Sequence, residues 1–479
     1  MSTTLPHVTY DFLLGQITDP HGREIFDPAN DEVVGRVRFQ SIEELDDAIR
    51  RARSAQSSWA ELTDSDRISY LNKAADAIES AAEPLAELLS REQGKPLNGP
   101  NARFEVGACV SWLRATAATE LPGGTVFHDD ETHAELRYRP VGVVGAIGPW
   151  NWPMMITIWQ IAPALRMGNT AVVKPSEYTP LSVLALIYII NSVLPEDVLL
   201  PVAGDGAVGA RLAGHPDIGK LMFTGSTKTG QAIIKSSADS IKRLTLELGG
   251  NDPGIVLPDV DAKSIAQELF WGAFINTGQT CAALKRLYVH ADVYDEICDE
   301  LLDIARQTPM GGGLNESNLL GPLQNKQQYL IVSRLVEAAR ESGAKVLVGG
   351  NPDPSAPGNF YPLTLVADID NNNPLVTEEQ FGPALPIIRY TDIDEAVKFA
   401  NAVDVGLGAS VWSSDTAAAR ALASRLEAGT VWINAHGGVH PQIPFGGVKK
   451  SGYGLEFGVE GLKSVAVPQV INGPTSTQQ

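Results

Sequence analysis

The sequence predicts an α/β protein built on parallel sheets, and three observations support this fold class. Between Val141 and Ser236, apolar strand-like runs alternate with helical patterns, as in repeated βαβ units. A second alternation runs from Gly254 to about Ile433. The length of 479 residues exceeds what a single hydrophobic core supports, so more than one domain is expected. Dinucleotide binding is the first hypothesis for the earlier alternation.

The N-terminal part is predicted to form short extended pieces followed by a helical layer. Residues 10–39 carry turn signals and strand-like fragments. Ser41 and Glu44 then form a capping-box signature at a helix start. Helical patterns cover 41–59, 64–93 and 101–119. The helix predicted at 179–193 has Thr179 as its N-cap, and the last strand is predicted at 463–471.

The stretch 118–140 predicts a hairpin arm. Its alternation of polar and apolar residues is typical of strands and not of a helix. An arm this polar cannot form a core alone, so we expect it to pack on another domain or subunit.

Composition excludes several function classes. The formal net charge is −20 and no cluster of Lys and Arg interrupts it, which disfavours nucleic acid and anionic membranes as partners. The longest apolar run, 181–190, is far too short for a membrane span, and the N-terminus lacks the pattern of a signal peptide. Three cysteines without a C-x-x-C pair fit free thiols in a reducing compartment. We therefore expect a cytoplasmic protein.

Cys281 differs from the other two cysteines in its neighbours. Cys109 and Cys298 lie in helix-like stretches and are expected to be small buried apolar residues. Cys281 instead follows the polar, glycine-containing segment 276–280. It is the candidate nucleophile.

Two further residues fit the chemistry that a cysteine nucleophile needs. Glu247 is flanked by apolar residues and a double glycine, where desolvation would raise its pKa toward that of a general base. Asn151 offers a neutral amide donor where a helix begins, the kind of group that an oxyanion hole uses.

Two segments are candidates for binding a dinucleotide. The stretch 204–209 reads G-x-G-x-x-G, but no acidic residue follows at the distance that a ribose contact requires, so a tight turn explains it equally well. Lys174 and Glu177 end a strand, and 223–227 open a helix whose N-terminus suits a phosphate. Lys174 and Glu177 can hold ribose hydroxyls, although alone they also fit a solvated surface pair. The Glu177 carboxylate would repel a 2′-phosphate, which favours NAD over NADP.

Together these segments resemble the aldehyde dehydrogenase superfamily, and the resemblance covers nearly the whole chain. Its motifs occur in order as PWN (149–151), KPSE (174–177), FTGST (223–227), ELGG (247–250), GQTC (278–281), EEQFGP (378–383) and PFGGVKKSG (444–452).

The resemblance implies an NAD-dependent, hydrolytic, non-acylating enzyme. Cys281 would form a thiohemiacetal whose oxyanion is held by Asn151 and the Cys281 backbone N–H, and hydride transfer to NAD would leave a thioester. Glu247 would activate the water that hydrolyses this thioester. Glu379 and Phe381 would position the nicotinamide ribose and ring. The residues expected to hold the adenosine and phosphates are Trp150, Lys174, Glu177, Gly225 and Ser226.

The family architecture implies an NAD-binding domain, a catalytic domain and an oligomerisation arm. Their expected bounds are 1–117 with 141–249, 250–448, and 118–140 with 449–479. Such arms make homodimers or homotetramers. No metal site is expected, because glycines between His436 and His440 indicate a loop and not a helical ligand pair.

Trp152, Met155 and Trp159 share one helix face, which lines the substrate tunnel in this family. Members that resemble succinic semialdehyde dehydrogenases carry an arginine where this chain has Trp159, so a neutral aliphatic or arylalkyl aldehyde fits better. Val439 and Phe445 are expected to line the same tunnel, with His436 or His440 near its mouth.

Other functions stay open from the residues alone. Tryptophans could hold a cationic, betaine aldehyde-like substrate through cation–π contacts. A semialdehyde could bind if a cation elsewhere in the chain paired with its carboxylate. A CoA-acylating enzyme is disfavoured by Glu247. A non-catalytic structural relative is disfavoured because Cys281, Glu247 and Asn151 occur together.

Overall fold

The computed structural model describes residues 8–353 and 355–475. Of the predicted regions, 1–7, 354 and 476–479 lie outside the described residues. Among the residues that are described, no helix is both long and apolar enough to cross a bilayer.

The helices run in chain order as α1 (Tyr10–Ile17), α2 (Ile42–Glu61), α3 (Asp64–Ser80), α4 (Ala82–Gln93), α5 (Ala102–Ala118), α6 (Pro153–Arg166), α7 (Pro180–Asn191), α8 (Gly206–Gly214), α9 (Thr227–Ser237), α10 (Ala262–Phe274), α11 (Tyr294–Gln307), α12 (Lys326–Glu341), α13 (Pro374–Thr377), α14 (Ile393–Asn401), α15 (Thr416–Ala423) and α16 (Gly458–Ser464). A 3-10 turn follows α10 at Ile275–Gly278.

The strands are β1 (Arg23–Phe26), β2 (Val33–Val37), β3 (Gly124–His128), β4 (Thr132–Pro140), β5 (Val143–Ile147), β6 (Thr170–Lys174), β7 (Leu199–Pro201), β8 (Ile218–Thr224), β9 (Arg243–Glu247), β10 (Asp252–Val256), β11 (Leu284–His290), β12 (Lys345–Val348), β13 (Thr364–Ala367), β14 (Ala384–Tyr390), β15 (Val405–Gly406), β16 (Gly408–Trp412), β17 (Thr430–Ile433), β18 (Val448–Lys449), β19 (Gly452–Tyr453) and β20 (Ala466–Pro474).

The first large sheet aligns the ends of four neighbouring parallel strands. Its order is β19-β9-β8-β5-β6-β7. Ile147 at the end of β5 lies opposite both Lys174 of β6 and Phe223 of β8, and Thr224 lies opposite Glu247 of β9. The PWN, KPSE, FTGST and ELGG segments therefore leave one edge of this sheet together.

The second large sheet has the order β12-β13-β14-β11-β10-β16-β17. Its strands are parallel except for β12, which pairs antiparallel with β13. The predicted α/β class with parallel sheets is confirmed.

A third sheet joins the hairpin to the C-terminal strand. β3 and β4 form the hairpin, and β20 runs antiparallel along β4 from the pair Ala466 and Pro140 to the pair Pro474 and Thr132. The last strand thus begins later than predicted, because 458–464 form helix α16.

The N-terminal segment departs from the prediction of extended structure. Residues 10–17 are helical because the Thr9 side chain accepts a hydrogen bond from the Phe12 N–H and Leu13 is fully buried. The pattern at 64–93 is two helices, α3 and α4, separated at Ala81. The capping box of Ser41 and Glu44 is confirmed.

A buried glutamate, and not the Thr179 side chain, caps α7. Thr179 occupies the predicted N-cap position, but its hydroxyl makes no capping bond. Instead, one carboxylate oxygen of Glu92 accepts from the Leu181 N–H at 2.5 Å, and the other accepts from the Ser182 N–H at 2.9 Å. Glu92 lies on the buried face of α4, so a tertiary contact supplies the cap.

We expect Glu92→Ala to lower the thermal unfolding midpoint by about 4 °C or more, because buried N–H groups would lose their acceptor. The control is Glu83→Ala in the same helix, whose side chain is 67% exposed. That change should shift the midpoint by about 1 °C or less. Equal shifts in a thermal scan would contradict the capping role.

Candidate active site

The candidate site lies where one edge of each large sheet meets the other. Asn151 and Glu247 come from the carboxyl edge of the first sheet. In the second sheet, Cys281 precedes β11, and Glu379 precedes the adjacent strand β14. The two edges touch directly, since the Gly250 N–H donates to Glu379 Oε1 at 3.2 Å and Asn151 Nδ2 donates to the Gln279 carbonyl at 2.9 Å.

The turn before Cys281 has left-handed backbone at Asn276, Thr277 and Gly278, with φ of 50°, 57° and 76°. A β-branched residue in this region is strained and needs external support. Thr277 Oγ1 accepts from the Gly321 N–H at 2.9 Å and donates to the Gly321 carbonyl. A Cβ on Gly278 would stand 2.3 Å from the Gly382 carbonyl oxygen, so only glycine fits. The cysteine loop is therefore held rigidly.

The backbone of Asn151 is fixed from two sides. Its carbonyl accepts from Lys95 Nζ at 2.8 Å and from Asn276 Nδ2 at 2.9 Å. Its side-chain amide donates one N–H to Gln279, and an amide carries a second N–H. That second donor can serve a ligand beside Cys281.

Lys95 and Glu105 form a buried ion pair beneath Asn151. The ammonium and a carboxylate oxygen are 2.6 Å apart, and both side chains are fully buried. Glu105 Oε1 also accepts from the N–H groups of Met154 and Met155, which caps α6. Burial lowers the pKa of Lys95 to about 8. The pair thus anchors both the Asn151 backbone and the helix after it.

Glu247 is buried at the end of β9. Neither of its carboxylate oxygens has a hydrogen-bond partner among the described residues, and the same holds for Glu456. Burial, together with the Glu456 charge, raises the pKa of Glu247 well above its usual range. Burial raises the pKa of Glu456 to about 8. Two such neighbours cannot both ionise readily, so a proton stays with the pair at neutral pH.

The Cys281 thiol is half-buried and protonated in this state. Burial, reinforced by the charges of Glu247, Asp252 and Glu379, raises its pKa to about 12, against the opposing influence of Lys285. A thiol attacks only as its thiolate, so Cys281 must lose its proton before it attacks. Glu247 is a carboxylate whose charge reaches this thiol.

Several of the predicted cofactor residues lie in contact with one another. Trp150 and Phe381 face each other edge to face, with ring centroids 5.3 Å apart. Lys174 is buried, and its Nζ lies 3.9 Å from a carboxylate oxygen of the half-exposed Glu177. Glu379 keeps 29% of its side chain exposed. Partly exposed carboxylates are suitable acceptors for ribose hydroxyls, so these residues fit a dinucleotide.

The two glycine-containing segments behave differently. Ser226 caps α9 through the Thr229 N–H, and the Gly225 N–H donates to the Glu247 carbonyl. In the 204–209 segment, the Asp205 side chain accepts from the N–H groups that open α8. A carboxylate already occupies that helix start, which agrees with the tight-turn interpretation.

The predicted tunnel residues share one apolar cluster. Trp152, Met155, Trp159 and Phe445 are buried in it, and the half-buried Cys281 and Val439 pack against it. Trp152 Nε1 donates to Thr280 Oγ1 at 2.9 Å, which places the indole beside the cysteine loop.

This arrangement matches a known family. The model of the aldehyde dehydrogenase family matches residues 17–471. The chain belongs to the aldehyde dehydrogenase family.

Individual relatives agree with this assignment. The chain is 38% identical to a phenylacetaldehyde dehydrogenase of Pseudomonas fluorescens, over 92% of this chain and 90% of the relative. An aldehyde dehydrogenase of Bacillus cereus solved as its NAD+ complex superposes with a TM-score of 0.90 at 36% identity, covering 95% and 93% of the two chains. An NADP-dependent enzyme of E. coli gives 0.91 at 33% identity, covering 94% of each. Members with either cofactor thus share this fold.

The predicted family and the predicted enzyme class, an oxidoreductase acting on aldehydes, are confirmed. Of the two histidines expected near the tunnel mouth of this aldehyde dehydrogenase, His440 is exposed but His436 is buried. His436 Nδ1 lies 2.9 Å from Ser410 Oγ, and burial lowers the pKa of His436 to about 3. His436 is therefore buried and neutral, so of the two alternatives His440 is the exposed one.

Sequence reasoning missed several residues of this aldehyde dehydrogenase site. The sequence does contain a signal for Glu105, because this charged residue lies among the apolar residues on the buried face of α5. Lys95 stands in a Gly-Lys-Pro turn, which says little about its partners. Tunnel neighbours were missed too: Trp159 packs against Phe457 at 4.8 Å and against Trp112 at 5.5 Å between ring centroids.

Proposed function

We propose that this aldehyde dehydrogenase oxidises neutral aliphatic or arylalkyl aldehydes to carboxylic acids, with NAD as hydride acceptor and a thioester on Cys281 as intermediate. The observation that carries the proposal is the surroundings of Cys281. Its loop accepts a hydrogen bond from the Asn151 amide, and the charge of buried Glu247 acts on its thiol.

The first step is addition of the thiol to the aldehyde. The Cys281 thiol loses its proton to water, and the thiolate sulfur adds to the carbonyl carbon. The free N–H of the Asn151 amide and the Cys281 backbone N–H hold the resulting oxyanion. Because Asn151 is clamped through its carbonyl, this donor needs little reorganisation when charge develops.

Bound NAD supplies the acceptor for the hydride that leaves the thiohemiacetal carbon. Phe381, which packs against Trp150, would position the nicotinamide ring, and the partly exposed Glu379 would accept from its ribose. Lys174 and Glu177 would hold the adenosine ribose, and Gly225 and Ser226, at the start of α9, would hold the phosphates. The Glu177 carboxylate would repel a 2′-phosphate, which favours NAD over NADP.

The last step is hydrolysis of the thioester. Glu247 takes a proton from water as the water oxygen attacks the acyl carbon, and the Cys281 thiolate leaves. No described residue forms a hydrogen bond with the carboxylate oxygens of Glu247, so these oxygens are available to a water molecule.

The charges around the tunnel favour a neutral substrate. The buried lysines near Cys281 already pair with carboxylates, Lys95 with Glu105 and Lys285 with Glu379. A carboxylated semialdehyde would therefore lack a free cation as anchor. The phenylacetaldehyde dehydrogenase relative supports an arylalkyl substrate.

The aromatic rings disfavour a cationic aminoaldehyde. Lys95 Nζ lies 3.5 Å from the centroid of the Trp152 ring, so an internal cation already occupies one face. Trp159 packs against Trp112 and Phe457. These contacts leave less aromatic surface for a quaternary ammonium group.

Substitutions at the two reactive side chains should separate the chemical steps. We expect Cys281→Ala to lower the rate of NADH formation about a thousandfold or more, with an unchanged affinity for NAD. The control is Cys298→Ala, outside the site, whose rate should stay near that of the wild type. Glu247→Gln should give a burst of NADH followed by slow turnover in stopped-flow absorbance. Normal turnover of Cys281→Ala would refute the proposal, and a rate requirement for CoA would indicate the acylating alternative.

The pH profile should report the carboxyl pair. Glu247 acts as a base only when deprotonated, and the Glu456 charge raises its pKa, so Glu456→Gln should move the rising limb of the steady-state rate to lower pH by about one unit. The exposed Glu460→Gln serves as control. If the rising limb of the Glu456→Gln profile stays at the same pH or moves to higher pH, the two groups are not coupled.

Substrate preference should follow the lining of the tunnel. We expect kcat/KM for phenylacetaldehyde and hexanal to exceed that for succinic semialdehyde and betaine aldehyde by about tenfold or more, because a charge would enter an apolar site unpaired. The measurement is the initial rate of NADH formation without CoA. A preference for either charged aldehyde would overturn the neutral-substrate proposal.

We also propose a cytoplasmic homodimer or homotetramer. Three free cysteines support a reducing compartment. The third sheet exposes apolar side chains, including Phe127 on β3 and Val470 on β20, which supports packing against another copy. Light scattering should give the mass of two or four copies, and Phe127→Asp with Val470→Asp should lower it. A monomeric wild type would contradict this assembly.

A further inference from the structure

Lys285 is a buried cation between the nucleophile loop and the predicted cofactor residues Glu379 and Phe381. Only 2% of its side chain is exposed. Its Nζ donates to the Cys281 carbonyl, lies 3.2 Å from Glu379 Oε1, and stands 5.7 Å from the centroid of the Phe381 ring. One ammonium group therefore touches the nucleophile's backbone and a predicted cofactor residue together.

The sheet explains why these groups converge. Lys285 lies on β11, directly after the Cys281 loop, and Glu379 precedes the adjacent parallel strand β14. The two loops enter neighbouring strands at the same edge, and Lys285 bridges them. The Gly250 N–H completes the arrangement by donating to the same Oε1 of Glu379 at 3.2 Å.

Packing alone does not account for a lysine at this position. A buried ion pair adds little net stability, and apolar residues of similar volume often stabilise as well or better. Lys285 also faces buried Asp252, and its charge opposes the rise that burial causes in the pKa of that carboxyl, to about 7. The charge therefore acts on several groups of the site.

We infer that Lys285 is a positioning residue that couples the predicted cofactor site to the nucleophile: it fixes Glu379 for the cofactor ribose and holds the Cys281 loop through the same ammonium group. The inference rests on the proposed function. With Oε1 held by Lys285 and by the Gly250 N–H, the second oxygen of Glu379 is left to accept a ribose hydroxyl.

Two consequences distinguish this role from a structural one. Without Lys285, Glu379 loses the donor that orients it, so NAD should bind less tightly. The Cys281 thiolate also loses the cation whose charge lowers its pKa, while the charges of Glu247, Asp252 and Glu379 still oppose ionisation. Neutral His436, packed beneath the loop, adds no charge, and Glu456 acts only through Glu247.

The test compares Lys285→Met and Lys285→Arg in the full-length protein. We expect Lys285→Met to weaken NAD binding about tenfold, measured by calorimetry, and to raise the pH midpoint of Cys281 alkylation by iodoacetamide by about one unit or more. Lys285→Arg keeps the charge and should recover most of both effects. Cys281→Ser gives the background from the two buried cysteines.

Lys242→Met is the matched control, because Lys242 also donates to two backbone carbonyls but lies outside the site. It should change neither readout. If Lys285→Met fails to fold, Lys285→Gln carries the test, since its amide can still donate to the Cys281 carbonyl, and the same two shifts are expected. Unchanged NAD affinity and an unchanged alkylation midpoint in a folded variant would overturn the inference. Failure of the wild type to oxidise aldehydes would instead count against the proposed function.

Discussion

The backbone carbonyl of Asn151 accepts hydrogen bonds from Lys95 and Asn276, and the geometry of the site depends on this junction. Asn276 belongs to the left-handed turn that delivers Cys281. Lys95 belongs to the helical layer, and its partner Glu105 caps the helix that follows Asn151. One oxygen atom thus ties the helical layer to the nucleophile loop, and the Asn151 carbonyl becomes a fixed reference for the proposed oxyanion site.

Buried charge is the recurring means by which this fold fixes its functional parts. Two glutamates of the helical layer cap helices of the first sheet: Glu105 caps the helix that follows β5, and Glu92 caps the helix that follows β6. Lys95 and Lys285 each donate to a backbone carbonyl next to the site, at Asn151 and Cys281. Such pairs contribute little net stability, but they specify one arrangement of loops. Glu247 and Glu456 contrast with them, because they lack partners among the described residues and so can exchange protons.

The parts of the site that the sequence predicted are those that follow local rules. Strand ends aligned in a parallel sheet bring Asn151, Lys174 and Glu247 to one edge, and alternation of strands and helices is visible in the sequence. The polar surroundings of Cys281 set it apart from the other cysteines in the same way. The capping box at Ser41 is likewise local, since all its atoms lie within one helical turn.

The missed features depend on contacts between distant segments. Glu456 lies next to Glu247 because β19 pairs with β9, and no local sequence pattern predicts that pairing. Helix α1 lies in the segment 10–39, for which turn signals predicted extended structure, and its stability comes from the Thr9 cap and from burial of Leu13. The burial of His436 likewise depends on a distant segment, since its ring lies against Ser410 of β16.

The most direct test of the central claim is to trap the acyl intermediate on Glu247→Gln. The variant would be mixed with NAD and phenylacetaldehyde, quenched in acid and digested for peptide mass spectrometry. The account predicts a phenylacetyl group on the peptide that contains Cys281, and no such adduct when NAD is omitted. An acyl group on another residue, or an unmodified Cys281 while the variant still shows a burst of NADH, would contradict it.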